Sequence, residues 1–163
     1  MNTARTYTLE EAHLHFAKTL NGEVWELLQK KRSKLEDERM LYAAHASCYH
    51  WLNAGTGMHH QRAEWLIAHV DNELSLAESA LRHASRCLEL TTEFADLMKD
   101  FDIAYAYEGI ARANALAGNR DEALKYIQLA EEHGQAISDN EDKNIFLGDF
   151  NVGNWHGLRK PTV

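Results

Sequence analysis

The chain has 163 residues, of which 45% are hydrophobic, and this is enough for one domain whose core needs no disulfide to fold. Its 25 acidic and 17 basic residues give a net charge of −8, which argues against nucleic acid as a partner because the phosphate backbone would repel it. No apolar stretch approaches the ~20 residues that a bilayer-spanning helix needs, and the N-terminus lacks the apolar region of a secretory signal. We therefore predict a cytoplasmic protein without a membrane partner.

The first two predicted helices each begin at a capping box, in which a hydroxyl residue is followed three positions later by a glutamate. Thr8 with Glu11 opens a helix of about six turns, and Ser33 with Glu36 opens the second. Apolar residues recur at helical spacing behind both caps, which predicts one buried face on each helix. The two helices are expected to form a hairpin at about residues 8–54.

A second helical hairpin is predicted at about residues 58–97. Ser75 with Glu78 has the spacing of another capping box, and we expect it to open the fourth helix. That helix is expected to run through Leu97, and Asp100 is then the predicted N-cap of a fifth helix.

The third predicted hairpin spans about residues 100–137 and has the clearest turn of the three. Gly118 is placed as the glycine that ends the fifth helix, and Asn119 follows as the N-cap of the sixth. A capping helix is expected at about residues 139–152, followed by a frayed, glycine-containing tail at 153–163.

Residues 104–130 carry a spacing of large and small residues that resembles a tetratricopeptide repeat. The matching positions are Tyr107, Ile110, Gly118, Ala123, Ile127 and Ala130. A fainter unit precedes it by more than the usual 34-residue period, which is similar to the extended, roughly forty-residue repeats of bacterial regulators. The resemblance implies an all-α fold, a right-handed stack of about three antiparallel hairpins with a C-terminal capping helix, as one domain over residues 1–163.

In tetratricopeptide arrays the first helices of successive hairpins line a concave groove that binds a protein or peptide. The resemblance nominates eight outward-facing positions on the third and fifth helices. They are Arg62, Trp65, His69, Asn72, Tyr105, Glu108, Arg112 and Leu116. The aromatic residues among them would supply flat contacts and the two arginines would pair with carboxylates, so an acidic or C-terminal peptide is the expected ligand, unless Trp65 is a core residue.

A second copy of the chain is another expected partner, because a short array can cover the apolar face of a terminal hairpin by forming a homodimer. Trp25, Trp51 and Trp155 are the candidates for such a face. The leading interpretation is a non-catalytic helical-repeat module for protein or peptide binding, without a cofactor and with a partner that stays unidentified.

The alternative interpretation is a metal-dependent α-helical hydrolase, because ten histidines occur in the chain. Five of them crowd the second and third helices, namely His45, His50, His59, His60 and His69. A di-iron bundle would need a Glu-x-x-His pair on each of two helices, and only Glu10 with His13 fits. His45 shares a helical face with Cys48, but Cys48 and Cys87 are expected to be reduced, packed thiols. With no nucleophile elbow and no phosphate loop, we favour packed histidines, no metal and no catalysis.

Overall fold

The computed structural model describes residues 6–159, which form seven α-helices and one short 3₁₀ helix. The helices are α1 (Leu9–Leu28), α2 (Lys34–Ala54), α3 (Gly57–Glu73), α4 (Ala77–Glu93), α5 (Asp100–Ala117), α6 (Arg120–Gln135) and α7 (Asn140–Val152), with the 3₁₀ helix at Ala95–Leu97. Within the described range no residue lies in a β-strand, which confirms the all-α prediction. No helix of residues 6–159 is both long enough and apolar enough to cross a bilayer.

The two N-terminal capping boxes are confirmed in the structure. The Thr8 hydroxyl accepts a hydrogen bond from the Glu11 amide at 3.2 Å, while the Glu11 carboxylate accepts one from the Thr8 amide at 2.8 Å. Ser33 and Glu36 exchange the same two bonds at 3.4 and 2.8 Å. Gly118 adopts a left-handed φ of 78°, as expected of a glycine that ends a helix.

The boundaries around α4 differ from the predicted ones. Ser75 has a φ of 60° instead of the extended backbone that an N-cap needs, so Leu76 takes the N-cap position and the predicted Ser75 box is wrong. The α4 helix also ends at Glu93 rather than running through Leu97. The chain turns there and packs the Phe94 ring against Gly57, where an added Cβ would lie 2.2 Å from the ring.

Consecutive helices pack as pairs, α1 with α2, α3 with α4 and α5 with α6, while α7 lies against α5 and α6. The apolar core has three clusters. One joins α1, α2 and α3, one joins α3 to α4, α5 and α6, and the third lies among α5, α6, α7 and the segment after α7. Because α3 and α5 also touch, the first helices of the second and third pairs share one face of the molecule.

A polar joint made of Gln61, Arg62, Thr91 and Asp102 lies where α3 meets α5 and the end of α4. The Gln61 side-chain amide donates to the Thr91 hydroxyl at 3.0 Å and to the Asp102 carbonyl at 3.3 Å. The Arg62 guanidinium donates two bonds to the Asp102 carboxylate, at 2.7 and 2.9 Å. Gln61 and Asp102 are each only 2% exposed, so these bonds satisfy groups that water does not reach.

The predicted frayed tail begins at residue 153, but residues 153–159 pack against the helices, so the prediction is wrong for this segment. Trp155 is 2% exposed, and its indole N–H donates to the Phe150 carbonyl at 3.0 Å. The Arg112 guanidinium lies 4.8 Å from the centre of the Trp155 ring, a cation–π contact that fixes the segment over α5. Trp155 is therefore a core residue and not part of a dimer face. Residues 160–163 of the predicted tail, like residues 1–5, lie outside the described range.

Candidate functional site

A cavity of about 460 Å³ opens between the four odd-numbered helices, α1, α3, α5 and α7, and we call it the groove. Its lining residues are Asn21, Trp25, Gln61, Arg62, Trp65, Leu66, Phe101, Asp102, Tyr105, Ile145 and Asp149. The volume falls within the range of cavities that hold small ligands or a few partner side chains. Six of the eleven lining residues are apolar or aromatic and five are polar or charged, a mixture of apolar surface and polar groups that ligand sites commonly have.

The indole of Trp65 is the centre of an aromatic stack in the groove. The Trp25 ring stacks on it with centroids 6.2 Å apart, and the Tyr105 ring meets it edge-on at 5.1 Å. Gly109 lets the indole approach α5, because an added Cβ there would lie 3.1 Å from the indole. His69 stacks parallel to Trp65 at 5.0 Å, and burial lowers the pKa of its imidazole, which favours the neutral form. The stack is thus held from several sides before any ligand arrives.

The charged groups of the groove already have partners within the protein. Arg62 is committed to Asp102 through the polar joint, and its guanidinium also lies 5.0 Å from the centre of the Phe101 ring. The Tyr105 hydroxyl donates to the Asp149 carboxylate at 2.7 Å. Burial, reinforced by this bond and the charge of Asp149, raises the pKa of Tyr105, so the phenol keeps its proton. The Asp149 side chain is exposed and carries the accessible negative charge at the rim.

Three of the eight nominated residues line the groove, namely Arg62, Trp65 and Tyr105. His69 lies beside it in the aromatic stack. Asn72 instead donates from its side chain to the Ala68 carbonyl of its own helix at 2.9 Å, and Leu116 packs against the cluster that joins α3 to the helices after it.

The prediction that Glu108 and Arg112 face outward is wrong. They are 2% and 9% exposed, and they form an ion pair with each other. A further bond from Arg112 reaches the Asp149 carbonyl at 3.0 Å, and Trp155 covers the guanidinium. The repeat pattern places both residues on the open face of α5, but α7 and the segment after it cover that part of the helix.

The residues that α1 and α7 contribute to the groove were not predicted from the sequence. Asn21 and Trp25 lie on α1, and Ile145 and Asp149 lie on α7. Neither helix matches the repeat, so the resemblance named no position on them. The sequence predicts Trp25 only as part of a dimer face, and its side chain is 40% exposed in the structure.

The nominated histidines are scattered and do not form one site. His50 shares a hydrogen bond with His13, and the two Nδ1 atoms are 2.8 Å apart. The Glu10–His13 pair therefore meets a lone histidine here and not the second Glu-x-x-His pair that a di-iron site needs. His59 accepts a bond from the Thr56 amide at 3.1 Å and stacks on Trp51. These three imidazoles have local structural roles.

One histidine of the predicted set does meet other metal-binding residue types. The side chains of Cys48, His60 and Glu64 bring one ligand atom each to within 4.8 Å of one another, on the facing sides of α2 and α3. His83 on α4 contacts the same carboxylate, with its Nδ1 atom 2.6 Å from Glu64 Oε2. The spacing of four between His60 and Glu64 was visible in the sequence, whereas the approach of the other two side chains depends on helix packing.

We compared the chain with models of protein families, with curated proteins and with solved structures. None of the three comparisons finds a match. The resemblance to tetratricopeptide repeats therefore rests on the residue pattern of this chain alone.

Proposed function

We propose that this protein is a non-catalytic binding module that holds an apolar segment of a partner protein or peptide in the groove. The observation that carries the proposal is the aromatic cavity itself, in which Trp25, Trp65, Phe101 and Tyr105 come from three different helices. Large aromatic residues at the centre of a concave surface are the usual anchors of protein–protein recognition. The proposal includes the finer architecture, a right-handed tetratricopeptide-like stack with α7 as its cap, and a cytoplasmic location.

The chemistry of the groove favours a different ligand from the acidic peptide expected from the sequence. Both arginines that were nominated to bind carboxylates are occupied, Arg62 by Asp102 and Arg112 by Glu108. An added ligand carboxylate would have to compete with these internal pairs. The accessible charge at the rim is the Asp149 carboxylate, which has capacity to accept further hydrogen bonds. We therefore propose a segment with an aliphatic or aromatic anchor and a lysine or arginine nearby.

Selection from a random peptide display library tests this proposal. The enriched sequences should combine a large apolar residue with a basic one, and the affinity of a synthetic peptide from the selection can then be measured by calorimetry. Replacing Trp25 by Ala should weaken binding by about 30-fold, the effect of losing a central anchor worth about 2 kcal/mol. Trp25 suits the test because it is 40% exposed and its loss leaves little of the core uncovered.

Leu124→Ala is the matched control, because Leu124 is 39% exposed on α6, which contributes nothing to the lining of the groove. It should leave the affinity unchanged, and Asp149→Asn should reduce the preference for basic peptides. If no peptide is enriched, or if Trp25→Ala and Leu124→Ala bind the selected peptide equally well, the groove is not the binding site.

A homodimer stays a second proposal, and one surface feature favours it. On α2, Leu35, Tyr42, Tyr49 and Leu52 lie close to one face and are between 56% and 73% exposed. A stripe of this kind can pair with its own copy around a two-fold axis. Sedimentation equilibrium of the wild type and of Tyr42→Glu tests it, because a dimer through this stripe should dissociate in the variant, while a wild type that sediments as a monomer rules the proposal out.

A further inference from the structure

A cluster of potential metal ligands lies where α2, α3 and α4 meet, away from the groove. Cys48 on α2 is 6% exposed, and its Sγ atom lies 3.9 Å from Glu64 Oε1. His60 is one turn before Glu64 on α3, and its Nε2 atom lies 3.4 Å from the same oxygen. The side chains of Glu64 and His60 are 11% and 19% exposed, so the cluster is sheltered but reachable from one side.

The separations of these atoms fit a tetrahedral zinc ion. With Zn–S at about 2.3 Å and Zn–N or Zn–O at about 2.0 Å, ligand atoms at the corners of a tetrahedron lie about 3.3–3.5 Å apart. The His60–Glu64 separation of 3.4 Å matches these values, whereas the Cys48–Glu64 separation is 3.9 Å and the three ligand atoms together lie within 4.8 Å of one another, so the Cys48 side chain has to move towards the other two when the ion binds. The thiolate, imidazole and carboxylate donors are also the three ligand types that Zn²⁺ accepts.

His83 completes the cluster as an orienting group. The Arg82 guanidinium lies 3.3 Å from His83 Nε2 and can only donate, so Nε2 is the acceptor nitrogen of the ring. The proton then sits on Nδ1, which donates to Glu64 Oε2 at 2.6 Å. This bond occupies one carboxylate oxygen and leaves Oε1, the atom nearest to Cys48 and His60, as the ligand. Hydrogen-bonded support of a ligating carboxylate is a regular feature of metal sites.

We propose that Cys48, His60 and Glu64 bind one Zn²⁺ ion, with His83 holding the Glu64 carboxylate in the ligating orientation and a fourth position open on the His60 side. Among residues 6–159 this is the one group in which three such ligand atoms converge. It is independent of the groove, because His60 and Glu64 lie on the opposite side of α3 from Arg62 and Trp65.

The charges of the ligands match those of the ion. Cys48 would bind Zn²⁺ as a thiolate, with release of its proton to solvent. The thiolate and the Glu64 carboxylate then balance the two positive charges of the ion, while His60 binds as a neutral imidazole.

The test uses protein made without a histidine tag and freed of metal by a chelator. Zn²⁺ affinity is measured by competition with a chromophoric chelator, and Co²⁺ is added as a spectroscopic substitute. We expect one bound ion per chain and, with Co²⁺, the charge-transfer band of a cobalt–thiolate bond together with intense visible bands of a tetrahedral site. Zn²⁺ should also raise the melting temperature, because the ion joins α2 to α3.

Cys48→Ala should abolish the thiolate band and weaken Zn²⁺ binding by at least about 100-fold, whereas His83→Gln should weaken it by about 10- to 100-fold and keep the band. Cys87→Ala is the matched control, because Cys87 is also buried, at 1% exposure, but lies outside the cluster. It should bind Zn²⁺ like the wild type.

The proposal is overturned if the wild type binds Zn²⁺ no more tightly than about 1 mM, or if Cys48→Ala retains the wild-type affinity, which would assign binding to other histidines. Should Cys48→Ala fail to fold, His60→Asn decides the matter. His60 is partly exposed, so this variant is expected to fold, and unchanged zinc affinity in it would equally overturn the site.

Discussion

Replacing Trp155 by Ala tests whether the segment after α7 is an integral part of the core. The substitution removes a side chain that is 2% exposed, its hydrogen bond to the Phe150 carbonyl, and the ring that covers the Arg112 guanidinium. The Phe150 ring would also lose its edge-to-face contact, with centroids 5.1 Å apart. All of these losses fall on the part of the molecule that positions α7.

The magnitude follows from the buried area and the cavity left behind. A tryptophan buries at most about 250 Å², which at about 25 cal/mol/Å² corresponds to about 6 kcal/mol, an upper bound because the unfolded chain already buries part of this area. Measured truncations of buried aromatic residues cost about 3–5 kcal/mol. Since 1 kcal/mol shifts the melting temperature of a domain of this size by about 2–4 °C, we expect a decrease of about 6–20 °C.

Differential scanning calorimetry and urea unfolding measure this effect, and Val152→Ala is the control because Val152 is 73% exposed at the end of α7. Urea unfolding should show a lower midpoint with little change in slope. A Trp155→Ala protein that melts within about 2 °C of the wild type would refute the reasoning, because it would mean that the segment contributes almost nothing to the folded state.

Three further substitutions test the packing of two glycines and the ionisation of a buried carboxyl group. Gly134→Ala should destabilise the fold by about 1–3 kcal/mol, because the added Cβ would lie 2.1 Å from the buried Phe146 ring. Gly22→Ala should stabilise it by up to about 1 kcal/mol, because nothing lies within 4 Å of the added Cβ and alanine is the better helix former. Equal urea midpoints for the two variants would contradict this reasoning. Burial raises the pKa of Asp71 despite the opposing effects of Ser79 and His83, so its folded pKa lies above its unfolded one. The free energy of unfolding of the wild type, relative to that of Asp71→Asn, should therefore be highest below about pH 4 and should fall as the pH rises to the folded pKa. The total decrease is about 1.4 kcal/mol for each pH unit by which the folded pKa exceeds the unfolded one. Urea titrations from about pH 3 to about pH 8 with a chelator present measure this difference, and a difference that does not change with pH would exclude an ionising, buried Asp71.

Helix positions were predictable where the signal is local. The boxes at Thr8 and Ser33 involve residues three positions apart, and the left-handed turn at Gly118 depends on one residue, so each can be identified without knowledge of the fold. The predicted box at Ser75 failed because Ser75 serves the end of α3 instead, where its φ of 60° lets the Leu76 amide donate to the Asp71 carbonyl at 2.8 Å. The fourth helix ends earlier than predicted, just before Phe94, whose ring packs on Gly57 at the start of α3, a contact between residues far apart in the sequence.

The groove was predictable only in the segments whose residue pattern resembles a repeat. Trp65 and Tyr105 were identified because the resemblance assigns them to the first helices of their hairpins. Trp25 and Asp149 lie on helices that carry no repeat pattern, and Arg112 was placed outside because nothing in its own helix shows that Trp155 covers it. Residues that depend on contacts between distant segments are the ones that local periodicity cannot locate.

The polar joint between α3 and α5 has a consequence for how the hairpins assemble. Apolar faces tolerate many partners, so a chain built from similar hairpins risks pairing them in the wrong order or exchanging one with a second molecule. If another hairpin replaced the third one, Arg62 would lose the Asp102 carboxylate and Gln61 would keep only its bond to Thr91, which lies in the same hairpin. An unsatisfied buried group costs about 1–3 kcal/mol, so these bonds favour the native neighbour over another hairpin in a way that apolar contacts alone do not.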